Sequence, residues 1–252
     1  MKSEKLRRRH DAGRRRSRRS AARLEPARAT AFGRGLLAWY RRHGRDLPWR
    51  RTRDPYAILV SEVMLQQTQV RRVLDFYGRF LRRYPTVGEL AAAPEGAVRE
   101  AWEGLGYYRR AANLQRTARL VAERHGGRFP EDLAELERLP GIGRYTAGAL
   151  ASFAFGADAA ILDTNAARVL ARVFGPGRRR GRSGRLWAIA RVVIPPGRGY
   201  AFNQAIMDLG ALVCTARRPA CPRCPVRRVC RTFERAMLAG AGTGEQRTPP
   251  AQ

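Results

Sequence analysis

The stretch Leu139–Asn165, LPGIGRYTAGALASFAFGADAAILDTN, constrains the fold more than any other part of the chain. Leu133, Leu136 and Leu139 recur at helical spacing before it, and Tyr145 to Phe155 is a small, apolar run suited to a buried helix. Pro140 ends the first helix. Gly141 and Gly143 permit a tight turn that a side chain would obstruct. The turn leaves backbone N–H groups at the positive end of the second helix, an arrangement that accepts a phosphate. Arg144 adds a cation there. A plain corner between two helices is the competing reading. Asp163 follows as the N-cap of a further helix, Asn165 to Phe174.

The charge balance favours the phosphate. The 252 residues carry a formal net charge of +29, and no run of apolar residues is long enough to span a membrane. Residues 1–28 hold twelve Lys and Arg against three Asp and Glu, leaving +20 for the rest. That N-terminal segment is low in apolar residues and is expected to be a disordered basic arm. It lacks the apolar core of a secretory signal, so the expected location is the bacterial cytoplasm, at the nucleoid. Lysine occurs only at Lys2 and Lys5, which leaves none in the folded part for Schiff-base chemistry.

The remaining periodic segments are helical, and the expected fold class is all-α. Phe32, Leu36, Trp39 and Tyr40 mark a first helix ending at Gly44, with Leu47–Trp49 as a packed loop. Tyr56 to Arg83 reads as two helices divided near Gln67–Gln69. Ala92–Arg99, Ala111–Arg124, Leu186–Val193 and Phe202–Leu212 complete the set, and 176–185 is a basic, glycine-rich loop.

Glu62 stands among Ile58, Leu59 and Leu65 on its helix. A carboxylate on an apolar face is costly unless paired, protonated or lining a site, and desolvation favours its protonated form. Gln66, Gln67 and Thr68 follow it with groups able to bond base edges or enter a stack. In Gly104–Arg110, glycines, two tyrosines and two arginines suit base stacking and phosphate contact. A buried aromatic pair is the rival interpretation.

Cys214, Cys221, Cys224 and Cys230 are the only cysteines. Four thiols within seventeen residues, with no secretory signal, indicate a metal site rather than disulfides. Zinc usually shows two short cysteine pairs. Here only one C-x2-C exists, and a [4Fe–4S] cluster accounts for the set better.

Together these segments resemble the MutY-type adenine DNA glycosylases, within the helix-hairpin-helix glycosylases that include endonuclease III. The resemblance covers roughly residues 30–235. It rests on SEVMLQQTQV (61–70), GLGYYRRAANL (104–114), LPGIGRYTAGAL (139–150), LDTNAARVL (162–170), FNQAIMDLGALVC (202–214) and the cysteine spacing. It implies that Glu62 is the acid that protonates the leaving adenine and helps activate water. Asp163 would stabilise the oxocarbenium-like sugar, with Asn165 beside it. Tyr145 falls where bifunctional relatives carry the Schiff-base lysine, implying a monofunctional enzyme. Gln67 and Tyr107 would insert beside the lesion pair, Gln66 and Thr68 flank that contact, and Gly141, Gly143 and Arg144 would hold the backbone. The four cysteines would ligate the cluster.

The implied organisation is a disordered arm (1–29), a glycosylase region (30–235) and a disordered tail (236–252). Within the glycosylase region, a six-helix barrel would span about 52–162, and a cluster lobe would combine 30–51 with 163–235, its cluster loop at 214–230. DNA and the active site would lie between the lobes. The expected partner is duplex DNA carrying a mismatch or oxidised base, bound by a monomer. Full-length members also carry a Nudix-like domain that helps recognise 8-oxoguanine. The chain runs about twenty residues past Cys230, so a short form without that domain is expected. Thr164 stands where many members have glycine, which would alter the pocket beside Asp163. Two rivals remain: a thymine or uracil mismatch glycosylase of the same superfamily, and a non-catalytic iron–sulfur DNA-binding protein.

Overall fold

The computed structural model describes residues 25–175 and 182–241. Most of the basic arm, the tail beyond Ala241 and the first part of the 176–185 loop lie outside them. The described residues contain α-helices and no β-strand. In order these are α1 (Pro26–His43), α2 (Pro55–Leu65), α3 (Val70–Arg83), α4 (Val87–Ala92), α5 (Glu95–Ala101) and α6 (Arg109–His125). They continue with α7 (Leu133–Glu137), α8 (Arg144–Phe153), α9 (Thr164–Phe174), α10 (Arg182–Val193), α11 (Gly199–Leu212) and α12 (Arg231–Ala241). The chain divides into two compact units, one of residues 45–161 and one of 1–44 with 162–252.

In the 45–161 unit, α2 is the central helix. Asp54 caps it by accepting from the N–H groups of Tyr56 and Ala57, and Pro55 occupies the first helical position, where its missing N–H costs nothing. Every residue from Tyr56 to Met64 is buried, and α3, α6 and α8 pack around the helix. A helix apolar on all sides needs such enclosure. Trp102 is fully buried, edge-on to Phe80 at 5.6 Å between centroids, and its indole N–H donates to Gly106 O at 3.1 Å.

The helix expected over 92–99 is instead two short ones. Ala93 is extended (φ −63°, ψ 146°), because the residue before a proline is pushed out of the helical region and Pro94 cannot continue the ladder. A reciprocal capping box between Thr86 and Glu89 starts α4.

In the unit built from the chain ends, α11 packs on both α1 and α9. Phe32 of α1 meets Phe174 and Phe202 edge-on at 5.3 and 5.9 Å. Helix α1 begins at Pro26, earlier than the arm's expected end. The start is tied down: Arg28 donates to Val229 O at 2.7 Å, and Glu25 pairs with Arg231 at 3.2 Å. Helix α12 likewise continues past residue 235 to Ala241. Within the expected basic loop, residues 182–185 belong to α10. No helix among the described residues is long and apolar enough to cross a membrane.

Candidate active site

Glu62 lies on the last turns of α2 and is 6% exposed. It is the one carboxylate on that helix, and the enclosure is more complete than a single apolar face. Removing a carboxyl group from water favours the form that keeps its proton.

Beyond α2 the backbone turns sharply. Gln67 (φ 55°) and Tyr107 (φ 49°) are the only non-glycine residues at positive φ among those described. A side chain in that region costs about 1–3 kcal/mol and persists only where the surroundings impose it. Both side chains point into solvent, Tyr107 being 61% exposed. Gly104 (φ 90°) and Gly106 (φ 68°) supply the bends before Tyr107. The arginine pair that follows is divided. Arg109 is exposed, whereas Arg110 is buried rather than offered to phosphate.

The glycine turn between α7 and α8 is braced by α6. Thr117 Oγ1 donates to Pro140 O at 2.7 Å. Gly141 adopts φ +74°, and a Cβ there would stand 2.8 Å from the Asn113 side chain, so both conformation and space call for glycine. Gly143 differs: its φ of −89° suits any residue and a Cβ there would meet nothing within 4 Å, so neither conformation nor packing calls for glycine. It caps α8 without a side chain, so no side-chain oxygen of its own covers the positive helix end. Leu136, Leu139 and Ile142 are buried beneath the turn, while Leu133, expected to join them, is exposed. Tyr145 is half-buried in the first turn of α8. Gly148 lets α8 approach the chain that leads to Asp163; a Cβ there would lie 2.7 Å from Ala160 O.

In the other unit, Asp163 is the N-cap of α9 and is doubly held. Its Oδ1 accepts from Ala166 N at 2.6 Å and its Oδ2 from Asn165 Nδ2 at 2.9 Å. Asn165 Oδ1 in turn accepts from Arg168 Nη2 at 2.7 Å, and Arg168 also donates to Gly210 O and Cys214 O. Gly210 makes this approach possible, since a Cβ there would fall 2.6 Å from Asn165 Cβ. One turn on, Arg172 donates to Cys214 O, to Thr215 O at 2.7 Å and toward Cys214 Sγ at 3.3 Å. None of these arginine contacts could be read from the linear pattern.

The four cysteines are partly buried, and no disulfide joins them. The Cys224 thiol is pushed up to about 11, chiefly by burial, with the neighbouring charges of Cys214, Cys230 and Cys221 contributing to the same shift. Cys230 is raised by burial too, with Cys214 and Cys221 adding to it. Backbone N–H groups of Val226, Thr232 and Phe233 oppose those shifts by bonding to the sulfurs. Among the described residues, no three His, Cys, Asp or Glu side chains are grouped to hold a single metal ion. Four thiols that feel one another's charge, with backbone amides at two of the sulfurs and Arg172 donating toward Cys214 Sγ, are a donor set whose chemistry suits an anionic iron–sulfur cluster.

Residues 60–187 match the HhH-GPD superfamily of base excision DNA repair proteins. The chain is 47% identical over 221 residues to the Homo sapiens adenine DNA glycosylase, covering 83% of this chain and 40% of that protein. It is 40% identical over 214 residues to the thymine-DNA glycosylase of Aeropyrum pernix, covering 82% of this chain and 96% of that one. The structure of a thermostable thymine-DNA glycosylase superposes with a TM-score of 0.79 at 32% identity, covering 83% of this chain and 98% of that chain. The chain thus spans two-fifths of the human relative and nearly all of the shorter one.

Proposed function

The chain belongs to the HhH-GPD superfamily of base excision DNA repair proteins, and within it we propose that it is a monofunctional adenine DNA glycosylase of the MutY type. Its substrate is duplex DNA in which adenine stands opposite 8-oxoguanine or guanine. The observation that carries this reading is Glu62, a carboxyl group withdrawn from water on an enclosed helix and suited to holding a proton until a leaving base takes it.

In the proposed reaction, Glu62 gives its proton to a ring nitrogen of the extruded adenine as the C1′–N bond breaks. The bonding electrons leave with the base. The sugar becomes cationic, and Asp163 supplies the compensating negative charge. Water adds at C1′, and its proton passes to the Glu62 carboxylate. Asn165 orients Asp163 through their hydrogen bond. Gln67 and Tyr107 fill the space the base leaves, with Gln66 and Thr68 beside Gln67. Gly141, Gly143 and Arg144 hold the phosphate backbone at the positive end of α8. Tyr145 stands where a lyase would need lysine, so the product is an intact strand with an abasic site. The protein works as a monomer wherever the chromosome is, in the cytoplasm at the nucleoid.

Cys214, Cys221, Cys224 and Cys230 hold a [4Fe–4S] cluster in this reading. When bound, it supplies a crosslink that organises the 214–230 loop. Purified protein is expected to contain about four iron atoms and four acid-labile sulfides per chain. Zinc without sulfide would overturn the assignment.

The deciding experiment measures base release from duplexes carrying A opposite 8-oxoguanine, A opposite G, T opposite G and U opposite G. Release of adenine is expected from the first two, with nicking only after alkali and no borohydride-trapped complex. A second reading, thymine or uracil release from mismatches with guanine, is favoured by the near-complete coverage of the Aeropyrum pernix enzyme and by the structural likeness at TM-score 0.79. Turnover of the last two duplexes alone would establish it. Binding without release from any duplex would leave the non-catalytic alternative.

A further inference from the structure

We propose that Arg110 is a clasp that holds the Gln66–Thr68 loop and the Leu105–Tyr107 loop as one rigid probe of the base stack. It is a positioning residue, acting through the backbone it grips rather than on the nucleotide. The inference rests on the glycosylase reading above and deepens it.

Arg110 sits in the first turn of α6 and is 8% exposed. Buried arginines normally meet a carboxylate. This one has none among the described residues. Its partners are main-chain carbonyls and one hydroxyl, and they come from two separate segments. Nη1 lies 3.0 Å from Val63 O, 2.8 Å from Met64 O, 3.1 Å from Thr68 Oγ1, and against Gln66 O. Nη2 lies 3.0 Å from Leu105 O and 3.1 Å from Gly106 O.

The two arms of the fork are therefore divided between the loops. The Val63 and Met64 carbonyls belong to the last turn of α2, where helical partners run out and the dipole is negative, so a cation is well received. Nε is buried without a partner, so every side-chain hydrogen bond of Arg110 runs through its two terminal nitrogens.

What the fork grips is the strained backbone. Gln67 and Tyr107 occupy the left-handed region, and Arg110 holds acceptors on both sides of the first and the two carbonyls preceding the second. The Arg110 N–H also bonds Tyr107 O at 2.8 Å, and the guanidinium lies 5.3 Å from the Tyr107 ring centroid. Trp102 supports the group from another side, its ring centroid 5.6 Å away. Both probing side chains are thus projected outward by backbone that one planar cation over-determines. A lysine ammonium is a point donor and cannot divide itself in this way.

The test compares wild type with R110K and R110A. Amide exchange is read in the free protein, and 2-aminopurine placed beside the target base reports opening of the stack. In R110A, exchange at residues 66–68 and 104–107 is expected to rise together while Ile58–Val63 stays protected. The aminopurine signal falls, and single-turnover base release drops about 100-fold, the usual consequence of misplacing reacting groups by an ångström. R110K is expected to behave like R110A, because charge without the fork does not suffice.

Loosening of one loop alone, rescue by R110K, or an unchanged aminopurine signal would overturn the proposal. Exchange rising throughout 45–161 in both variants would assign Arg110 to general stability and overturn it equally. Wild-type protein that releases no base would sink the glycosylase reading instead. The exchange pattern would still decide whether one arginine couples the two loops.

Discussion

Glu62→Gln is expected to lower the single-turnover rate of adenine release by about 10²- to 10⁴-fold, the range supplied by a positioned proton donor. Glutamine keeps the volume and hydrogen-bonding reach of the side chain, so α2 keeps its packing and duplex affinity stays close to wild type. The group lost is the transferable proton. With Glu62 as the acid, the wild-type rate is expected to fall as pH rises and the proton is given up, and this dependence is expected to disappear in the variant. A structural role gives the opposite pattern: a lower melting temperature with base release intact. Rate and melting temperature measured on one preparation separate the two, and an unchanged rate would remove Glu62 from the chemistry.

The helices were legible where periodicity and punctuation agree. The helix read from Tyr56 starts one residue earlier, at Pro55 behind the Asp54 cap, and the Gln67–Gln69 break between α2 and α3 is where the structure places it. The all-helical class followed from such segments. Pro94 is punctuation of the same kind, and it breaks a segment whose apolar spacing alone reads as one helix. Leu133 fits the helical repeat yet is exposed, because α7 is only five residues long and buries one face at Leu136. Arg110 could not be read at all. In so basic a chain an arginine next to another reads as a phosphate contact. Its inward course depends on carbonyls more than forty positions away in the chain, at Val63 and Met64. The Arg168 bridge from Asn165 to Cys214 is hidden for the same reason: it exists only because Gly210 allows α11 close to α9.

Asp163→Asn separates charge from architecture more sharply still. Asparagine is as good an N-cap as aspartate, and its carbonyl oxygen can go on accepting from Ala166 N, so the start of α9 is preserved. The second oxygen is the difficulty. At Oδ2 the variant presents an NH2 group to the Asn165 NH2, donor against donor. Asn165 cannot relieve this by flipping, because its Oδ1 is engaged by Arg168 at 2.7 Å, and a flip would only move the conflict there.

One unmatched buried donor costs about 1–3 kcal/mol, so a modest fall in melting temperature is expected. The effect on chemistry is larger. Losing the fixed negative charge beside a cationic sugar should lower base release by about 10²- to 10³-fold, as removal of one transition-state electrostatic contact does elsewhere. Duplex binding should hold or tighten, since a negative charge facing a polyanion is gone. Binding by fluorescence anisotropy and base release under single turnover check the two halves independently. Turnover at the wild-type rate would show that the carboxylate only caps a helix.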